Sequence, residues 1–254
     1  MKETVAKSYC LTSVGRVRQS NEDSVAIIER PHFTLLAVCD GMGGHRKGEV
    51  ASRIAIDTLE REFGNISNEV STWKGKVLLK KCLSDANLEI FDMSQSDTTY
   101  EGMGTTAVVA LVLKDEMIIA NVGDSRCYET TAKRKTIKPL TVDQSFVEIL
   151  YEKGKITKAQ MLHHPNKNII TNALGIKDKL KCDIKVYKTD FEDLMLCSDG
   201  LTNMVPESQI SLILKRDATV ENKAITLINR ANDLGGLDNV SVALMERKQN
   251  GFPR

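Results

Sequence analysis

Asp40 in LLAVCDGMGG, Asp124 in IIANVGDSR, Asp199 in LMLCSDGL and Asp238 in GGLDNVSVAL each stand at the edge of an apolar, strand-like run beside Gly, Asn or Ser. A carboxylate at the mouth of a buried strand is poorly solvated unless positive charge lies beside it, and small neighbours let backbone carbonyls and water reach the same point. Four such mouths in one chain point to a carboxylate-lined metal site. Oxygen donors without a matching Cys/His set select hard cations, Mg²⁺ or Mn²⁺, which keep several of their waters, over a zinc cage. For any one of these aspartates the competing reading is a turn cap, since Asp-Gly and Asp-Asn are ordinary turn dipeptides; it is the series that favours the site.

The elements that must carry these residues are short and β-rich: Ser24 to Ile28, Phe33 to Cys39, Thr106 to Leu113, Met117 to Val122, Leu194 to Cys197 and Val240 to Met245. Most are too apolar to face water on either side. Between them, Gly48 to Phe63, Trp73 to Met93 and Val220 to Leu234 place apolar residues at helical spacing. The run VVALVLKDEMIIANV turns around Lys114 to Glu116, which predicts a hairpin and an antiparallel sheet. The polar segment from Gln144 to Asn172, with SFVEILYEKGKI and KAQMLHHPNKNIIT, holds helical patterns between two core regions.

At 254 residues and 41% hydrophobic content the chain can bury a sizeable core, and one domain over 1–254 is the simplest count. A net charge of +1 offers no basic footprint, so nucleic-acid binding is disfavoured. No apolar run approaches the roughly 18 residues of a membrane span, and MKETVAKSYC lacks a signal-peptide core, so a cytoplasmic, non-membrane protein is expected. Cys10, Cys39, Cys82, Cys127, Cys182 and Cys197 form no CxxC pair and read as reduced packing residues. His163, His164 and Cys182 show no zinc-ligand spacing.

Six stretches, in order, resemble the metal-dependent serine/threonine protein phosphatases of the PPM (PP2C) family in their compact bacterial form: GRVRQSNEDS from Gly15, AVCDGMGGHRKGEVAS from Ala37, GMGTTAVVAL from Gly102, ANVGDSR from Ala120, LCSDGL from Leu196 and GLDNVSV from Gly236. Together they cover essentially the whole chain. The resemblance implies an α+β fold, a four-layer α-β-β-α sandwich of two antiparallel sheets flanked by helices, with a flap subdomain at about 144–172 beside the cleft. It implies hydrolysis of phosphoserine and phosphothreonine in proteins by a metal-bridging hydroxide, without a phosphoenzyme, at two Mn²⁺ or Mg²⁺ ions.

By the same resemblance Asp40 bridges both ions, the Gly41 carbonyl binds one, and Asp199 and Asp238 bind the other. Glu22 and Asp23 hold metal-bound waters, although an acidic solvated turn reads nearly as well from residue type. Arg18 is the phosphate clamp by its spacing to Asn21, Glu22 and Asp23, its planar guanidinium suiting two phosphoryl oxygens at once. Neighbouring Arg16 illustrates the alternative, a merely solvated base. Asp124 joins Asp199 in holding a third, weaker ion, against the respectable alternative of a hairpin turn. Phosphorylated proteins, a cognate serine/threonine kinase and monomeric action complete the implied setting.

The chain also departs from the family pattern. Met42 stands where eukaryotic relatives carry a His that is a candidate general acid, and His45, beyond two glycines, reads as a solvated loop residue. Gln144 and Asn172 stand where relatives often place His and Arg, which leaves substrate contacts of the flap in question. Two other classes compete. A non-catalytic regulatory relative would be expected to lose metal ligands, yet Asp40, Asp199 and Asp238 are present; a phosphodiesterase or nuclease would need a surface for a polyanion, and the near-neutral composition argues against one.

Overall fold

The apolar runs alternate between two destinations, and that alternation builds the architecture. The computed structural model describes residues 4–44, 46–131 and 137–249; His45 lies outside them. Its strands are β1 (Thr4–Ser13), β2 (Asp23–Arg30), β3 (Phe33–Met42), β4 (Gly104–Thr105), β5 (Ala107–Val112), β6 (Glu116–Val122), β7 (Arg126–Thr130), β8 (Lys138–Pro139), β9 (Asp183–Lys188), β10 (Asp193–Cys197) and β11 (Val240–Gln249). Among the described residues they form two antiparallel sheets, β1-β11-β10-β7-β8 and β2-β3-β5-β6-β9, with the short β4 paired to the end of β3. The β5–β6 hairpin closes where expected, Leu113 N–H donating to the Glu116 carbonyl at 2.9 Å.

On β3, Leu36 and Val38 point into a core shared with Val108, Ala110 and Met117 of their own sheet and with Leu194, Leu196 and Ala243 of the other. Leu35, Ala37 and Cys39 point the opposite way, onto α1 (Arg46–Phe63) and α2 (Thr72–Ser96) through Ala55, Leu59, Leu79 and Leu83. A strand side-chain period of two therefore buries both faces, which is why the run from Leu35 to Cys39 is wholly inaccessible and reads as continuously apolar.

The segment between β8 and β9 carries α3 (Phe146–Glu152) and α4 (Lys158–Leu162), started by the side-chain caps Ser145 and Thr157. It is a closed excursion: its two ends meet where Thr171 N–H donates to the Gln144 carbonyl at 2.7 Å and Phe146 N–H to that of Ile169 at 2.8 Å. Most of its residues from 151 to 171 are exposed. On the far side of the second sheet, α5 (Asp199–Thr202), α6 (Glu207–Leu214) and α7 (Val220–Asp233) cover Met195, Cys197, Val242 and Leu244. The order is helices, sheet, sheet, helices, and the strand ends of both sheets open at one edge. No helix among the described residues is long and apolar enough to cross a membrane.

Candidate active site

The shared edge is where the aspartates converge. Asp40 lies near the end of β3, directly opposite Asp23 on β2, a cross-strand pairing of like charges that a sheet tolerates poorly. Asp199 opens α5 just past β10, Asp238 precedes β11, and Asp124 follows β6. Asp40 and Asp199 lie near enough to perturb each other, and Asn203 Nδ2 donates to Asp199 Oδ2 at 2.9 Å. Burial first, and then the neighbouring carboxylates, push Asp40, Asp199, Asp124 and Asp23 up. Asp40 rises well above the ordinary carboxylate range under Asp23, Asp199, Asp124 and Asp238. Asp199 is raised by burial and Asp238, Asp124 to about 8 by burial with Asp199 and Asp143, and Asp23 to about 7 by burial despite the nearby Ser241 and Ser198 hydroxyls.

Asp23 is buried, with Oδ2 accepting from Ser198 Oγ at 2.8 Å and Oδ1 lacking any partner. Glu22 lies beside it under the first turns of α1. A Cβ on Gly48 would strike the Glu22 carboxylate, and one on Gly41 would run into the carbonyl oxygens of Gly48 and Glu22, so both positions require the bare backbone. Gly41 N–H donates to the Glu22 carbonyl at 3.1 Å, which locks the two acidic strand ends together.

Arg18 stands at the rim, half-exposed, with Nη2 on Asp238 Oδ2 at 2.9 Å. Partial burial disfavours its charge, but Asp238, Glu22 and Asp40 outweigh that and hold it protonated. Arg16 turns away to the end of α7, donating to the Asn232 carbonyl at 2.9 Å. The geometry thus separates the two arginines that residue type alone leaves equivalent.

Several residues that position the site are silent in the sequence-based reading. Asn239 ties the loop before β2 to the start of β11: its Oδ1 accepts from Glu22 N–H at 2.8 Å, and its Nδ2 donates to the carbonyls of Val14 and Ser20 at 3.0 and 2.9 Å. Thr106 Oγ1 accepts from Asp40 N–H at 3.0 Å and meets Ser125 Oγ at 2.7 Å, linking Asp40 to the Asp124 turn. Asn239 lies within GLDNVSV and Thr106 within GMGTTAVVAL, so the motifs contained the residues while their roles emerge only from the fold.

Among the described residues no three Asp, Glu, His or Cys side chains form a ready-made cage for an ion. Hard divalent cations do not require one, because they bind through one or two carboxylates and carbonyls and fill the rest of their shell with water. The donors at this edge are oxygens throughout, they repel one another, and one buried carboxylate oxygen has no partner. That chemistry fits Mg²⁺ or Mn²⁺.

The Protein phosphatase 2C family model matches residues 12–226. Serine/threonine phosphatase stp of Listeria monocytogenes is 41% identical over 243 residues, 93% of this chain and 94% of that protein. The crystal structure of serine/threonine phosphatase Stp1 from Staphylococcus aureus superposes with a TM-score of 0.89 at 35% identity, covering 95% of each chain. The catalytic domain of the serine/threonine protein phosphatase PstP, solved in complex with two manganese ions, superposes with a TM-score of 0.84 at 29% identity, covering 96% of this chain and 99% of that one. With a family model spanning most of its length and a relative of this identity over nearly all of it, the chain belongs to the protein phosphatase 2C family of serine/threonine phosphatases.

Proposed function

We propose that this chain removes phosphate from phosphoserine and phosphothreonine in proteins, using two Mn²⁺ or Mg²⁺ ions held at the edge where Asp40, Asp199 and Asp238 converge. The observation that carries the reading is the crowding of these carboxylates, Asp40 and Asp199 both raised by burial and by their neighbours, beside the half-exposed guanidinium of Arg18 on Asp238. Asp40, the Gly41 carbonyl, Asp199 and Asp238 are the residues that would hold these ions, Asp40 being shared by both. The neighbour solved with two manganese ions supports the pair. When bound, such ions supply the positive charge that acidifies an attacking water and neutralises the phosphoryl oxygens.

The remaining roles belong to the chain itself. Arg18, already leaning over Asp238, orients the phosphoryl group through two of its oxygens. Glu22 and Asp23 accept hydrogen bonds from water at the site, the unpartnered Oδ1 of Asp23 being a ready acceptor. Asp124 and Asp199 together hold a third, weaker cation. No covalent intermediate on the protein is part of the reading. Cys39, Cys127 and Cys197 are buried, and burial pushes their thiols up, Cys197 to about 12, so they are poor nucleophiles. The excursion from Gln144 to Asn172 acts as a flap that touches the protein around the phosphoresidue. Monomeric action in the cytoplasm, opposite a cognate serine/threonine kinase, belongs to the same reading.

The test is phosphate release from a phosphothreonine peptide and from para-nitrophenyl phosphate, with Mn²⁺ and after thorough chelation, beside an Asp199→Asn control. Release that depends on Mn²⁺ and is lost in Asp199→Asn is expected. Hydrolysis that persists in chelator contradicts the two-ion reading.

A further inference from the structure

The turn that carries Asp124 is gripped on both flanks by two adjacent residues at the root of the 144–172 excursion. Gly123, just before Asp124, has both of its backbone groups bound by Gln144: the Gln144 N–H donates to the Gly123 carbonyl at 2.9 Å, and Gln144 Oε1 accepts the Gly123 N–H at 2.8 Å. On the other flank Asp143 holds the Arg126 guanidinium, with Nε to Oδ1 at 2.8 Å and Nη2 to Oδ2 at 2.6 Å. Between them Ser125 Oγ meets Thr106 Oγ1. The turn depends on such support, because Gly123 has φ +97° and a Cβ there would collide with Thr106.

The grip reaches the far end of the excursion. Gln144 Oε1 also accepts Asn172 Nδ2 at 2.6 Å, and Asn172 Nδ2 donates in addition to the Lys181 carbonyl at 2.7 Å. Gln144 Nε2 points the other way, to Asp183 Oδ2 at 3.0 Å. These orientations are fixed by chemistry: a backbone N–H can only donate, so Oε1 must face Gly123, and a backbone carbonyl can only accept, so the Asn172 amine must face Lys181. Gln144 and Asn172, the two departures from the family pattern that lie in the excursion, therefore bond each other, and both are only half-buried.

We propose that Gln144, braced by Asn172, is a positioning residue for the Asp124 carboxylate, so that cation binding at Asp124 and Asp199 depends on this pair at the root of the excursion. The proposal rests on the reading of Asp124 as a cation ligand.

Calorimetric titration of the full, chelated chain with Mn²⁺, without substrate, tests it, read beside amide hydrogen exchange at Gly123 and Asp124. Gln144→Met keeps side-chain length and removes both amide groups; it should weaken the weakest Mn²⁺ step about tenfold, leave the tighter steps in place and speed exchange at the turn. Asn172→Ala should do the same to a smaller degree, and the double variant should be no worse than Gln144→Met, because both act by one route. Asp124→Asn separates the two ideas. If it removes the weakest step while Gln144→Met and Asn172→Ala leave that step unchanged, the positioning role is wrong and the ligand assignment stands. If Asp124→Asn leaves every step unchanged, the ligand assignment fails and takes the positioning role with it.

Discussion

Where neighbouring strands β10 and β11 pair, acidic residues stand at both ends of the pairing, and the two ends are treated in opposite ways. At one end Asp193 and Glu246 face each other in register, and Lys223 of α7 reaches between them, with Nζ at 2.7 Å from Asp193 Oδ1 and 2.8 Å from Glu246 Oε1. Thr130 Oγ1 donates to Asp193 Oδ2 at 2.8 Å. Burial disfavours the Lys223 charge, but its two partners outweigh that and hold it protonated. At the other end Asp199 and Asp238 join Asp40 and Asp23, with half-exposed Arg18 on Asp238, while Arg126 near Asp199 is engaged by Asp143. A fold that neutralises one end from within and leaves the other crowded with acid has reserved the second end for cations from outside.

That contrast can be broken most forcefully at the acidic end. Asp40→Asn or Asp199→Asn should lower kcat for a phosphopeptide by about a thousandfold or more, equivalent to about 4 kcal/mol of transition-state stabilisation, with little loss of thermal stability, since each change relieves repulsion. A variant that kept most of its kcat would remove that carboxylate from the reaction.

The neutralised end should respond the other way round. Lys223→Met leaves Asp193 and Glu246 facing each other in the interior and should cost about 3–5 kcal/mol of stability by denaturant unfolding, while the Mn²⁺ dependence of the folded fraction stays as in the parent. A stability change below about 1 kcal/mol would mean that the triad is not the internal counterpart described.

The pH dependence of the cation-free protein sharpens the comparison further. Asp23 and Asp124 have an ordinary value of 3.8 when unfolded and about 7 and about 8 when folded, so between those limits the folded chain holds more protons than the unfolded one. Stability must therefore fall as pH rises from about 4 to about 8, and level off above that. Scanning calorimetry in chelator should show this fall, and Mn²⁺ should restore the most stability at the alkaline end, where the carboxylates are free of protons. A melting temperature that rose steadily across this range would contradict the crowding.

Smaller effects are expected at the rim. Arg18→Ala should raise KM for a phosphopeptide about tenfold with a lesser loss in kcat, and unchanged constants would remove its role as a clamp. Neutralising Lys153, Lys155, Lys158 and Lys167, which lie exposed on the excursion, should lower kcat/KM for phosphoproteins a few-fold, of order 1 kcal/mol or less, and leave para-nitrophenyl phosphate unaffected. Equal effects on the large and small substrates would show that this segment does not select among them.

Much of the acidic end was legible in the sequence because it obeys local rules. Asp40 stands where a doubly buried strand opens, and Asp199 and Asp238 sit beside strands whose apolar runs were visible from composition alone. The neutralised end was not legible. Lys223 within VENKAITLINRAND looks like one more solvated helix charge, and only the packing of α7 on β10 and β11 reveals it as buried. Strand β9 was equally hidden, because an edge strand with Lys185 and Lys188 facing water lacks the apolar signature of the inner strands. Strand β1 mixes polar and apolar residues against a single partner, β11, and gives as weak a signal. The grip of Gln144 on Gly123 depends on two backbone groups that no residue spelling records.

The central claim is that the acidic edge is completed by divalent cations, and direct counting tests it best. Calorimetric titration of chelated protein with Mn²⁺ at neutral pH should give at least two ions per chain, and Asp40→Asn, which removes the carboxylate proposed to serve both, should weaken both tight steps together. A stoichiometry of one or none, or an Asp40→Asn titration that overlays the parent, would contradict the account.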